Sequence, residues 1–231
     1  TRYWRDWSSD VCSSDLAKLF RTSSFCYHVN TRSNNREWFY LPMEISWKIF
    51  CYSANEAAER YGVNLHSFLL MSNHFHLLCG TPRENLDEFM RYFLSNATKR
   101  MQRQANRINH ILGARYRGTV IESAWALAYV FKYIYRNPIR AGISDKVEDY
   151  PWSSFQKQND LVLSEGIDSY WASIPKDPSD RLLWLNKATS KDNELLIGRA
   201  LRRSKFKFTT DSNFQARLRE LEKSYGISRY L

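Results

Sequence analysis

A chain of 231 residues with 43% hydrophobic and 25% charged content can bury a real core, as one large domain or one domain with an appendage. Its formal net charge of +10, from Lys+Arg 34 against Asp+Glu 24, points to a polyanionic partner, nucleic acid before a membrane surface. No apolar run reaches the roughly 18 residues of a membrane span and no secretory signal is visible; the four cysteines, Cys12, Cys26, Cys51 and Cys79, lack CxxC spacing and indicate neither a zinc cage nor a disulfide framework. A cytoplasmic, reduced protein is the expectation.

Residues 1–16 are set apart. The chain does not open on Met, and Ser-Ser-Asp occurs at Ser8–Asp10 and again at Ser13–Asp15. The run resembles the translation of a sequencing-adapter fragment, so the fold argument begins at residue 17. Phe25 to Arg32 reads as a first strand, with Asn34-Asn35 marking the turn after it. Apolar residues at helical intervals (Ile45, Ile49, Tyr52, Ala57, Tyr61) predict a helix over Met43–Tyr61 that stops at Gly62. Val63–Met71 and His74–Cys79 then form two strands that pair across Ser72-Asn73. A second long helix is expected over Glu84–Asn106, with Leu86, Phe89, Met90, Phe93 and Ala97 on one stripe. Ala114–Glu122 reads as a strand and Trp125–Asn137 as a third helix stopped by Pro138. This β-α-β-β-α-β-α order predicts an α+β fold: a ferredoxin-like (split βαβ) antiparallel sheet with helices on one face. A domain over 17–155 is followed by a polar, basic stretch over 156–231, read as a helical C-terminal appendage. Its run Arg199, Arg202, Arg203, Lys205 and Lys207 makes a basic face that is either DNA-facing or merely solvated, with the solvated reading preferred.

The stretch that the chain is organised around is Phe68–Gly80. On a strand, residues two apart share a face, so His74 and His76 leave the same side of the sheet, within reach of one ion or one phosphate. Phe75 and Leu77 point the other way, into the core. Between Arg91 and Arg117 there is no Asp or Glu. Lys99, Arg100, Arg103, Arg107 and Arg115 fall in that interval, and Lys99, Arg103 and Arg107 recur every four residues as a cationic helix stripe suited to phosphate. Tyr133 and Asn137, four apart, share a helix face. A phenol is a poor nucleophile near its ordinary pKa of about 10, and becomes useful when a metal polarises the phosphate that it attacks. The carbonyl oxygen of Asn137 could complete a divalent-ion site with the two imidazoles.

His74-Phe75-His76 has the His-hydrophobe-His pattern of HUH nucleases. Met71-Ser72-Asn73-His74-Phe75-His76-Leu77-Leu78, Tyr133-Ile134-Tyr135-Arg136-Asn137-Pro138-Ile139-Arg140-Ala141-Gly142 and Tyr150-Pro151-Trp152-Ser153-Ser154-Phe155 closely resemble the one-tyrosine HUH transposases. The resemblance is nearest to the branch associated with repetitive extragenic palindromes (REP), and it covers about residues 23–155. It implies a metal-dependent endonuclease and strand transferase acting on single-stranded DNA beside hairpins. Tyr133 would attack the phosphate to leave a 5′-phosphotyrosine link and a free 3′-OH, with His74, His76 and Asn137 holding Mg²⁺ or Mn²⁺. Arg115, Arg117, Arg136 and Arg140 are further candidate phosphate contacts. Both a monomer and a homodimer are compatible, since some relatives exchange the tyrosine helix between subunits. Two rival readings share part of this pattern. Nucleotide hydrolases with a His-x-His-x-His strand would need a histidine where this chain has Leu78. A domesticated binder of structured DNA or RNA would share the charge and the fold without cleaving.

Overall fold

A computed structural model describes residues 20–108, 110–113, 115–157, 160–165, 171–188 and 191–207; the Ser-Ser-Asp repeat lies outside the described residues. Four strands, β1 (Cys26–Arg32), β2 (Asn64–Leu70), β3 (His74–Gly80) and β4 (Arg117–Ile121), form one antiparallel sheet in the order β2-β3-β1-β4. With α1 (Met43–Tyr61) between β1 and β2, and α2 (Leu86–Ala105) between β3 and β4, this is the expected split βαβ arrangement. α1 runs as predicted and ends at Gly62, whose φ of 64° is a left-handed cap that costs glycine little.

Strand alternation sends Tyr27, Val29, Phe68, Phe75 and Leu77 to one face, where α1 and α2 cover them with Trp47, Phe50, Phe89 and Phe93. Phe50, Phe68, Phe75 and Phe93 form a ring cluster with centroids 5.3–6.3 Å apart. Each fully buried ring contributes about 1.5–3 kcal/mol by removal from water. This packing fixes which side of β3 is core, and therefore which side carries the histidines.

The arrangement goes further than the expected single layer of helices. α3 (Ala124–Tyr135) is buried over nearly its whole length and crosses the opposite face, packing on Cys26, Leu69 and Leu78. Its apolar circumference requires cover on the outer side as well. The C-terminal region supplies it: Leu185 of α5 (Pro178–Asn186) and Ile197 and Ala200 of α6 (Lys191–Ala200) join the same cluster. The flanking segments also close both sheet edges. Leu70 N–H donates to Trp152 O at 3.0 Å and Ser154 N–H to Phe68 O at 2.8 Å along β2; Val120 N–H donates to Ser204 O at 2.9 Å and Phe206 N–H to Val120 O at 2.8 Å along β4. An edge so paired offers no free ladder to another chain.

Two helix ends differ from the sequence reading. α2 stops at Ala105, and Asn106 turns left-handed with φ 49°, so Arg107 leaves the helix and the predicted three-residue cationic stripe is broken. α3 ends at Tyr135, and a short turn, α4 (Asn137–Arg140), follows with Pro138 in its first turn.

Candidate functional site

The histidine face of the sheet opens into a cavity of about 1090 Å³. β3 brings His74 and His76 to its floor. The β1–β3 and β1–β4 registers align His76 with Asn30 and Arg117, and His74 with Arg32. Tyr133 enters from α3, its ring 6.1 Å from that of His76 and edge-on to it. Arg140 reaches back from α4 to lie 4.4 Å over the Tyr133 ring. The tyrosine and the histidines of one chain therefore meet without a partner subunit.

Burial sets the charge of the imidazoles. Desolvation holds His74 down to about 4, with the positive charges of Arg32 and Arg140 adding to the effect. His76 is lowered by burial first and then by His28 and His74. Both rings are neutral near pH 7, so each keeps one N–H and has one ring nitrogen with a free lone pair. Nδ1 of His74 contacts Oδ1 of Asn73 at 2.7 Å, while Nε2 of His76 is buried with no hydrogen-bond partner. Neutral, partly unsatisfied imidazoles are a donor set that fits a divalent transition ion. Among the described residues no three His, Cys, Asp or Glu side chains form a metal cluster, so further ligands have to come from an amide, water or phosphate oxygen.

The side chain of Asn137 is engaged at the helix end. Its Nδ2 donates to the carbonyls of Tyr133 at 2.9 Å and Ile134 at 3.2 Å, and its Oδ1 accepts from Arg140 at 2.5 Å. The reason lies one residue on. Pro138 has no N–H to give to the Ile134 carbonyl four residues back, and the side chain of Asn137 supplies the missing donor. The proposed third ligand is thus a helix-end cap in this structure, and it is absent from the cavity wall.

The predicted phosphate contacts divide into three groups. Arg115, Arg117 and Arg140 line the cavity, Arg115 while also pairing with Asp87 at 3.0 Å. Lys99, Arg100 and Arg103 ride on α2, whose apolar side packs in the core on the other face of the sheet. There Arg100 pairs with Glu56 at 2.9 Å and stacks over Tyr52, and Arg107 covers the ring of Tyr40. Arg136 is buried: its Nε donates to Glu194 at 3.1 Å and its Nη1 to the Leu185 carbonyl at 3.2 Å. It ties α3 to α5 and α6 and cannot contact a phosphate from that position.

Sequence reasoning missed other parts of the wall. Arg32 and Arg36 come from the end of β1 and its loop, and Arg199 and Arg202 from the end of α6. The run at 199–207 that reads as solvated thus contributes two cations to the cavity. Asn35 and Arg36 both hold positive φ, 52° and 61°, a backbone state that non-glycine residues keep at a cost of about 1–3 kcal/mol each and that clusters at functional sites. His28 also lies in the wall, beside His76.

The family model for IS200-like transposases matches residues 21–137, about half of the chain, and the chain belongs to this transposase family. Within it, a Haemophilus influenzae protein named as a REP-associated tyrosine transposase is 26% identical over 132 residues, which cover 52% of this chain and 73% of that relative. The solved structure of a REP-associated tyrosine transposase bound to a REP hairpin superposes with a TM-score of 0.52 at 15% identity, over 65% of this chain and 93% of that one. That likeness establishes the α+β fold. No helix among the described residues is long and apolar enough to cross a membrane.

Proposed function

We propose that the protein is a metal-dependent single-stranded DNA endonuclease and strand transferase that acts beside hairpins through a tyrosine–DNA intermediate. The observation that carries this reading is the meeting of Tyr133, His74 and His76 in one cavity rimmed by Arg32, Arg36, Arg115, Arg117 and Arg140. A phosphodiester strand drawn in by those cations presents a phosphorus atom to the Tyr133 oxygen. A bond forms from that oxygen to phosphorus, the P–O3′ bond breaks, and the departing 3′ oxygen takes up a proton. The result is a 5′-phosphotyrosine and a free 3′-OH. Attack by a 3′-OH reverses the sequence and rejoins DNA, so no nucleotide cofactor is required.

His74 and His76 would hold Mg²⁺ or Mn²⁺, and when bound the ion acts as a Lewis acid on the phosphate's non-bridging oxygens. The guanidinium of Arg140 stacks on the phenol ring and holds it in place at the cavity. Single-stranded or hairpin DNA is the proposed partner; the nearby relative of known structure holds a REP hairpin.

A second reading, hairpin binding without cleavage, draws on one observation: the carbonyl oxygen of Asn137 is committed to Arg140. One experiment separates the two. The protein is incubated with end-labelled hairpin DNA carrying a single-stranded flank, with Mn²⁺, and run on a denaturing gel. Label that migrates with the protein, and is lost in Tyr133→Phe or with EDTA, supports the transferase. Tight binding with no adduct under any ion supports the binder.

A further inference from the structure

β1 contributes an imidazole that the His-hydrophobe-His motif does not include. His28 is 1% exposed, stands opposite Leu78 on β3, and its ring lies edge to edge with that of His76, the planes 25° apart and the centroids 5.1 Å apart. Its Nε2 lies 2.8 Å from Nδ1 of His76. A contact this short between two ring nitrogens requires one to carry a proton and the other to offer a lone pair. Two arrangements meet that demand. If His28 donates, the proton of neutral His76 lies on Nε2. If His76 donates from Nδ1, its Nε2 is a bare lone pair. Only the second lets Nε2 of His76 bind a cation; it places the His28 proton on Nδ1, and that atom and Nε2 of His76 are both buried without a hydrogen-bond partner.

We infer that His28 is a positioning residue for His76: it accepts the Nδ1–H, fixing the tautomer and ring plane that free Nε2 to ligate. The inference rests on the reading of His76 as a ligand and extends it to a residue outside the motif. Ligating histidines characteristically hand their second N–H to an acceptor, and loss of that acceptor lowers metal affinity by about 10–100-fold. A carboxylate often fills this place. Here the cavity's one acidic side chain among the described residues, Glu194, is held by Arg136, and the neighbouring strand supplies an imidazole in its stead. The continuous β1–β3 ladder from Cys26–Gly80 to Arg32–His74 keeps the two rings in register.

The test combines spectroscopy with metal binding. In ¹⁵N-labelled metal-free protein, a through-hydrogen-bond nitrogen–nitrogen coupling joins His28 Nε2 to His76 Nδ1, and in Mg²⁺-loaded protein the His76 proton sits on Nδ1. Mn²⁺ titration followed by electron paramagnetic resonance gives His28→Phe an affinity lower by about 10–100-fold. His28→Gln, whose carboxamide oxygen can accept from the same place, stays close to wild type. Thermal melts of the metal-free variants show whether each is folded. Absence of the coupling, a His76 proton on Nε2 in the Mg²⁺ form, or a folded His28→Phe that binds Mn²⁺ like wild type overturns the inference. A coupling present in a wild-type protein that takes up no Mn²⁺ overturns the metal-dependent reading instead, and the positioning role with it, while the hydrogen bond stands.

Discussion

Gly198 of α6 faces the hydroxyl of Tyr133 so closely that a methyl group built on it would lie 3.3 Å from the phenol oxygen. The helix that completes the core around α3 therefore also limits the room at the nucleophile. Alanine at a helical glycine ordinarily gains about 1 kcal/mol, whereas the new contact demands that the tyrosine give way by a few tenths of an ångström. Gly198→Ala is expected to melt at or above the wild-type temperature while forming covalent DNA adduct several-fold more slowly, and Gly198→Leu to form none. Adduct rates and thermal melts on the same preparations check this. A wild-type rate in both variants would show that the space above Tyr133 is not used.

Arg136 and Glu194 make an ion pair whose side chains are 9% and 8% exposed. Removing one partner strands the other charge in a poorly solvated place, at a cost of about 3–5 kcal/mol. Arg136→Ala should be destabilised by that amount in urea unfolding. Arg136→Met combined with Glu194→Leu should recover part of the loss, because the two members of the ion pair are removed together. If Arg136→Ala instead unfolds like wild type and loses affinity for DNA, its role is at the DNA.

The two faces of the sheet make different demands of their cations. Each phosphate neutralised adds about 0.7–0.9 to the dependence of log K on log salt. Arg117→Ala, in the cavity wall, is expected to weaken hairpin binding and reduce that slope by about one. Lys99→Ala, on the far side of the sheet, should leave the slope unchanged. Fluorescence titrations over a range of salt concentrations measure both, and a slope change in Lys99→Ala would mean that DNA wraps around to α2.

The strands, the first two helices and the shared face of His74 and His76 were legible because each rests on local periodicity, whereas the place of Tyr133 beside them was what the family resemblance implied. Alternation fixes the faces of β3, and the 3.6-residue repeat fixes α1 and α2. The rest of the site depends on what lies beside what. His28 enters through the β1–β3 register, which no spacing in the sequence reveals, although its place two residues before Asn30 on a strand of buried residues was open to view. Arg199 and Arg202 enter because α6 folds back onto α3, a packing choice made by Ile197 and Ala200. Asn137 shows what spacing leaves out: position i+4 on a helix promises a shared face, but with a proline next door the side chain caps the helix end in this structure. The cationic stripe loses Arg107 where α2 ends, and the packing of Phe89 and Phe93 puts Lys99 and Arg103 on the opposite side of the sheet from the histidines.

Two buried imidazoles, His28 and His76, and the half-buried His74 make stability depend on pH in a defined direction. Burial lowers His28 to about 3 and, with the help of Arg32 and Arg140, His74 to about 4; His76 is also lowered. In the unfolded chain each returns to about 6.5. Between those values the unfolded state binds more protons than the folded one, so folding stability is complete above about pH 6.5 and is lost as pH falls toward 4. The slope approaches about 1.4 kcal/mol per pH unit for each histidine. Urea unfolding in EDTA at pH 7, 6 and 5 should therefore show a fall steeper than one histidine can produce. In His28→Gln the fall should be shallower by one proton. A flat profile from pH 7 to 5 would mean that the imidazoles are solvated and charged in the folded protein, and that the neutral donor set assigned to the cavity does not exist.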